Sequence, residues 1–144
     1  MIKEFRHNGI LLGALISKED ADSDAIKFYT DKSSDLQTGY AIHPKNSYTD
    51  AHIHKIIPQN INSLQEVLIV TKGKIRVDFY SEDKQYVESA IVPAGMAIML
   101  ISGGHGIKQL EDSEYWEVKQ GPFIGDENKI RFAHIPDDEV VFND

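Results

Sequence analysis

The chain contains no cysteine, which excludes disulfides, thiolate metal sites and cysteine nucleophiles and leaves imidazole and carboxylate as the side chains able to hold a metal. Positive charge is scarce: 15 Lys and Arg stand against 23 Asp and Glu, a formal net charge of −8. A field of that sign repels phosphate backbones and anionic headgroups, so neither nucleic acid nor a membrane surface is an expected partner. Long apolar runs are missing too. No stretch approaches the ~18 apolar residues of a spanning helix, and the first seven residues mix charge with isolated apolar side chains instead of building a signal-peptide core. The expectation is a soluble, cytoplasmic protein, and 144 residues suit one domain with one core and one site. No repeat or low-complexity tract interrupts it.

What is present is period-two alternation. Over residues 74–81, Ile75, Val77 and Phe79 fall on one side and Lys74, Arg76, Asp78 and Tyr80 on the other, the pattern of a half-buried strand. Residues 9–17, 25–30, 38–43, 48–56, 66–71, 86–92, 96–102 and 115–120 are similarly short and rich in β-branched or aromatic side chains. Lys72-Gly73, Pro93-Ala94-Gly95, Gly103-Gly104 and Asp112-Ser113 punctuate them with turn chemistry. Many short strands at this spacing predict an all-β sandwich or barrel. The acidic stretch 19–24 carries carboxylates at alternate positions but lacks the glycine and closing glutamate of a calcium loop, and reads as a solvated loop. Ser63-Leu64-Gln65-Glu66 has capping-box spacing, yet the apolar run Val67 to Val70 follows directly and Gly73 ends it, so a strand is favoured there over a helix. Phe79, Trp116 and Val118 read as core.

His52 and His54 are one residue apart in a segment that reads as a strand, so their imidazoles leave the same face and can supply adjacent corners of a coordination sphere. Glu66 opens an apolar strand, where an ionised carboxylate facing inward is costly without a cation beside it. His105 is flanked by Gly103, Gly104 and Gly106, which allow a sharp turn and leave its ring facing a cavity. These four are the candidate metal ligands. Tyr40 and Gln109 are candidate substrate-binding groups or, equally, satisfied core polar groups. His7 and His134 read as surface residues, and His43 as structural before it is cavity-lining.

The pattern resembles the cupin superfamily. Its first motif runs Gly, five residues, His-x-His, three or four residues, Glu, six residues, Gly; here His52-Ile53-His54, Glu66 and Gly73 match it. Asn46 replaces the leading glycine, and residues 55–65 lengthen the gap before the glutamate. The second motif, Gly, five residues, Pro-x-Gly, two residues, His, three residues, Asn, is similar to Gly95, Ile101-Ser102-Gly103, His105 and Gln109, with isoleucine for proline, one residue fewer before the histidine, and glutamine for asparagine. The resemblance covers residues 48–120. Gly103 to Gly106 together with Val118 to Pro122 look like small stand-alone cupins associated with surface-polysaccharide and nucleotide-sugar pathways.

The resemblance implies a double-stranded β-helix, or jelly-roll barrel, spanning residues 1–144: additional N-terminal strands over 1–47, a core over 48–120 and a C-terminal extension over 121–144. It also implies one divalent transition metal (Mn, Fe, Ni, Co or Zn) and a small-molecule ligand such as a sugar or nucleotide sugar. Whether the chain is an enzyme stays open: isomerase, epimerase or dioxygenase chemistry stands beside a non-catalytic binding or sensing module, because fold does not fix function. Cupins of this kind are commonly dimers, and open edges among the N-terminal strands could pair with a second copy, so a homodimer is expected.

Overall fold

The computed structural model describes residues 2–18 and 26–143, so the acidic stretch 19–24 lies outside the described residues. The strands are β1 (Ile2–His7), β2 (Ile10–Ile16), β3 (Ile26–Phe28), β4 (Gly39–Ala41), β5 (Glu66–Lys72), β6 (Lys74–Tyr80), β7 (Tyr86–Pro93), β8 (Ala97–Leu100), β9 (Gly104–Gln109) and β10 (Glu114–Lys119). They form a five-stranded sheet in the order β1-β2-β8-β5-β10, a three-stranded sheet β7-β6-β9 and the hairpin β3-β4. Every pairing among the described residues is antiparallel. The all-β reading therefore holds, while the sheets are not closed into a barrel. No described helix is long and apolar enough to cross a membrane.

The two larger sheets share one core. Leu12, Leu68, Val70, Ile98 and Leu100 from the five-stranded sheet meet Ile75, Val77, Phe79, Ala90 and Val92 from the other. Phe5 stacks on Phe79 with ring centroids 4.5 Å apart. Gly73 makes the β5–β6 hairpin: its φ is +70°, and a Cβ there would lie 2.3 Å from the Asp112 carbonyl oxygen. Only glycine satisfies both demands.

The outward side of β6 is buried as well. Arg76, 6% exposed, donates through Nε and Nη2 to the two oxygens of Asp78 at 2.7 and 3.0 Å. The C-terminal segment covers this face: Phe132 packs edge-on against Tyr80 at 5.0 Å between centroids, the Ile135 amide donates to Tyr80 Oη at 2.9 Å, and Arg76 Nη1 donates to Asp137 at 2.9 Å. Lys108 Nζ holds the other oxygen of Asp137. The Ser89 amide donates to the Val141 carbonyl at 2.8 Å.

Several expectations are corrected. Residues 48–56 form no strand, and Ile53 and Ile56 are 94% and 100% exposed; alternation is only half of what a strand needs, and this segment has no ladder partner. Gly104, His105 and Gly106, read as a turn, open β9, which hydrogen-bonds to β6. β1 forms although its mixed charge gave no strand signal; it is an edge strand whose Phe5 alone is fully buried. Trp116 and Val118, expected in the core, point outward on β10, with Trp116 70% exposed.

Two expected outcomes follow from this packing. Phe79→Ala removes a fully buried ring stacked on Phe5, and urea denaturation is expected to show a loss of about 3–5 kcal/mol. Lys108 and then Arg76 hold the Asp137 carboxyl below the usual carboxylate range. A depressed carboxylate stabilises above its unfolded pKa of about 4 and loses that contribution as pH falls through the lowered folded value. The melting temperature is therefore expected to drop on acidification below about pH 4, and less so in Asp137→Asn, a difference that calorimetry across pH 2–6 resolves.

Candidate metal and ligand site

Glu66 occupies the first position of β5 on the same face as Leu68 and Val70, so the strand's alternation carries its carboxylate toward the interior. It is 8% exposed, and a carboxylate so placed needs compensation. Two groups supply it. His105, on β9 of the opposite sheet, places Nε2 3.5 Å from Glu66 Oε2. Lys119, directly across from Glu66 on β10, places Nζ 3.7 Å from Oε1.

The facing His105 imidazole is the main reason the Glu66 carboxyl sits below its ordinary pKa; the charges of Lys119 and Lys129 add to it and burial opposes it. Lys119 is in turn held in its charged form, first by Glu117 at 2.7 Å and then by Glu66. The cluster is a buried anion bracketed by an imidazole and an ammonium. Such a carboxylate is ionised at neutral pH.

His52 and His54 form a second pair, with ring centroids 5.0 Å apart and planes at 71°. The Asp50 carbonyl lies 2.9 Å from His52 Nδ1. A carbonyl can only accept, so Nδ1 is the donor, and in the neutral imidazole that leaves the Nε2 lone pair free, the tautomer that ligates metal. The structure thus places the four candidate ligands as two pairs, Glu66 with His105 and His52 with His54. Among the described residues no group of three or more His, Asp or Glu side chains converges on one ion-sized point.

The segment bearing His52 and His54 is pinned beside Glu66. Asp35 accepts hydrogen bonds from the amides of Asn62 and Ser63 at 2.9 and 3.2 Å. Gln65 Oε1 accepts from the Leu36 amide at 3.1 Å, and the Gln65 amide donates to Gln120 Oε1 at 2.8 Å. The C-terminal stem of the segment, residues 62–65, is thereby held between the β3–β4 connection and the end of β10, at the end of β5 that carries Glu66. The eight residues from His54 to Asn62 can span at most about 26–29 Å.

Tyr40 and Gln109 lie elsewhere. Tyr40 lines a cavity with Ile16, Thr38, Ile69 and Met96, against the hairpin β3-β4. Gln109 ends β9 at the opposite extremity from His105, exposed and in register with Ile75. Lys119, Gln65 and Gln120 were not anticipated. The alternation of β10 contained the signal for Lys119, since it shares a face with Tyr115, whose ring packs on the core.

No family model matches the chain, and no curated protein or solved structure matches it either.

The Gln65 side chain joins the C-terminal stem to the β3–β4 connection from a 5% exposed position. Gln65→Ala removes the acceptor of the half-buried Leu36 amide and is expected to cost about 0.5–1.5 kcal/mol in denaturant titrations, with no loss of secondary structure by circular dichroism.

Proposed function

We propose that the chain is a metal-binding cupin that binds or acts on a small polar metabolite of the sugar or nucleotide-sugar kind. The observation that carries this reading is the Glu66–His105 contact: a buried carboxylate and an imidazole, delivered by opposing sheets, 3.5 Å apart. Two further observations support it. Among the described residues β9 is paired on one side only, and the segment around His52 and His54 is tethered through Asn62 and Ser63 at the Glu66 end of β5. We infer that residues 48–56 add to β9, closing the two sheets into a jelly-roll barrel and bringing His52 and His54 to Glu66 and His105.

The donor set, three imidazoles and one carboxylate, suits a divalent first-row transition metal. When bound, such an ion supplies Lewis acidity toward a ligand carbonyl or hydroxyl. The chain's own part is to hold Glu66 ionised, to present the His52 Nε2 lone pair, and to place Lys119 as a hydrogen-bond donor beside the carboxylate. A metal-free ligand-binding module is the second reading, favoured by Lys119, which already gives Glu66 a cation at 3.7 Å.

Elemental analysis of purified protein beside His52→Ala/His54→Ala decides between the two. The first reading expects near-stoichiometric metal in the wild type and its loss in the variant. It also expects Mn, Co, Ni or Zn to slow tryptic cleavage at Lys55 in the exposed segment, because a closed strand is a poor protease substrate. Background metal in both proteins, with cleavage unchanged by any ion, would overturn it.

A further inference from the structure

The C-terminal segment does more than cover a surface. Beside the Phe132 ring, its ion-pair contacts lie at its margin with solvent: Asp137 keeps its side chain 63% exposed while joining Arg76 and Lys108. Beneath it, the sheet face is already satisfied internally. Arg76 is bidentate to Asp78, Ser89 Oγ donates to Asp78, and Tyr86 Oη pairs with Ser89 Oγ at 2.9 Å. A face with its own partners in place can survive uncovering, whereas an edge strand bonded along one side only has less to hold it when the cover goes.

β9 is that strand. It has one ladder neighbour, β6, and its side chains alternate between Gly104, Gly106 and Lys108 outward and His105 inward. Gly104 is bare because Phe132 occupies the space: a Cβ there would lie 2.8 Å from the Phe132 ring. Four residues on, Lys108 is tied to Asp137, which Arg76 of β6 shares. The segment therefore touches β9 on both sides of His105 and bridges it to β6 at the second contact.

We propose that residues 132–141 form a releasable clasp, in which Asp137 acts as a positioning residue that holds β9 against β6 and thereby fixes His105 on the opposite face. Releasing the clasp frees the edge strand first and leaves the five-stranded sheet intact. This goes beyond the metal reading, and its test requires no metal.

The test is amide hydrogen exchange on the metal-free full chain, comparing β9 with β5 and β8. In Asp137→Asn, β9 amides are expected to exchange roughly threefold to tenfold faster, the range that one exposed and one half-buried ion pair provide, while β5 and β8 stay within about twofold. Asp137→Glu is expected to restore most of the protection. Because the Lys108 contact is exposed, about 1 M NaCl, where the screening length is ~3 Å, is expected to act on the wild type in the same direction. Wild-type protein in salt keeps the question answerable should the variant fold poorly. Equal acceleration in all strands would reduce Asp137 to general stability and overturn the proposal, as would unchanged β9 exchange in both the variant and high salt.

Discussion

Side chains of a strand leave alternate faces, and in β6 that rule sets most of what surrounds it. Ile75, Val77 and Phe79 supply one wall of the core, and their partners across the register, Val92, Ala90 and Glu88 on β7 with Gln109, Ile107 and His105 on β9, are forced to the same side. His105 faces inward because Phe79 does. The complementary positions, Arg76, Asp78 and Tyr80, are turned to the other side, where three polar groups in a row in the middle of a sheet demand partners. Asp78 answers Arg76 within the strand, and the C-terminal segment answers Arg76 again and Tyr80 as well. A buried pair of this kind is weak evidence for net stability, since desolvation offsets much of the attraction, but removing one member leaves an uncompensated charge.

The legible parts of the sequence were those where local pattern and tertiary demand agree. Residues 66–71, 74–81 and 86–92 alternate or run apolar between turn signals, and each became a strand. Residues 48–56 carry the same local pattern and did not, because pairing is decided by a neighbouring edge that no local window contains. The failure at residues 104–106 has the opposite cause. Glycine there was read as freedom to turn, whereas Gly104 is bare to admit Phe132, a residue 28 positions away in sequence. Trp116 was misplaced because size and apolarity say core, while the register of β10, set by Tyr115 and Lys119 facing inward, turns it outward.

At the site, an ionised carboxylate at the head of an apolar strand needs a cation, and the sequence pointed to a metal shared with three imidazoles. The structure sets the His105 imidazole and the Lys119 ammonium beside Glu66, and Lys119 sits directly opposite on the next strand. That cross-strand placement is invisible without the register. It also changes the electrostatics, because a site expected to be one carboxylate among three imidazoles carries an ammonium beside the carboxylate. Any ligand that approaches Glu66 meets a donor as well as an acceptor, a combination suited to hydroxyl-bearing molecules that both give and take hydrogen bonds.

β9 is where these strands of argument meet. Its inward face carries His105, its outward face is gripped at Gly104 and Lys108, one edge is bonded to β6, and the other edge is open. An edge strand with unpaired amides and carbonyls is unstable to further pairing, and the chain carries an unpaired, apolar, imidazole-bearing segment tethered nearby. Exposed Ile56, on the same face as His52 and His54 in an extended segment, has a hydrophobic incentive of about 1.5–3 kcal/mol to be covered, and docking on that edge would serve the backbone and this side chain together. The outward clasp and the inward segment would then act on one strand from its two sides, so that the order of β9 governs the position of His105 whichever element binds first.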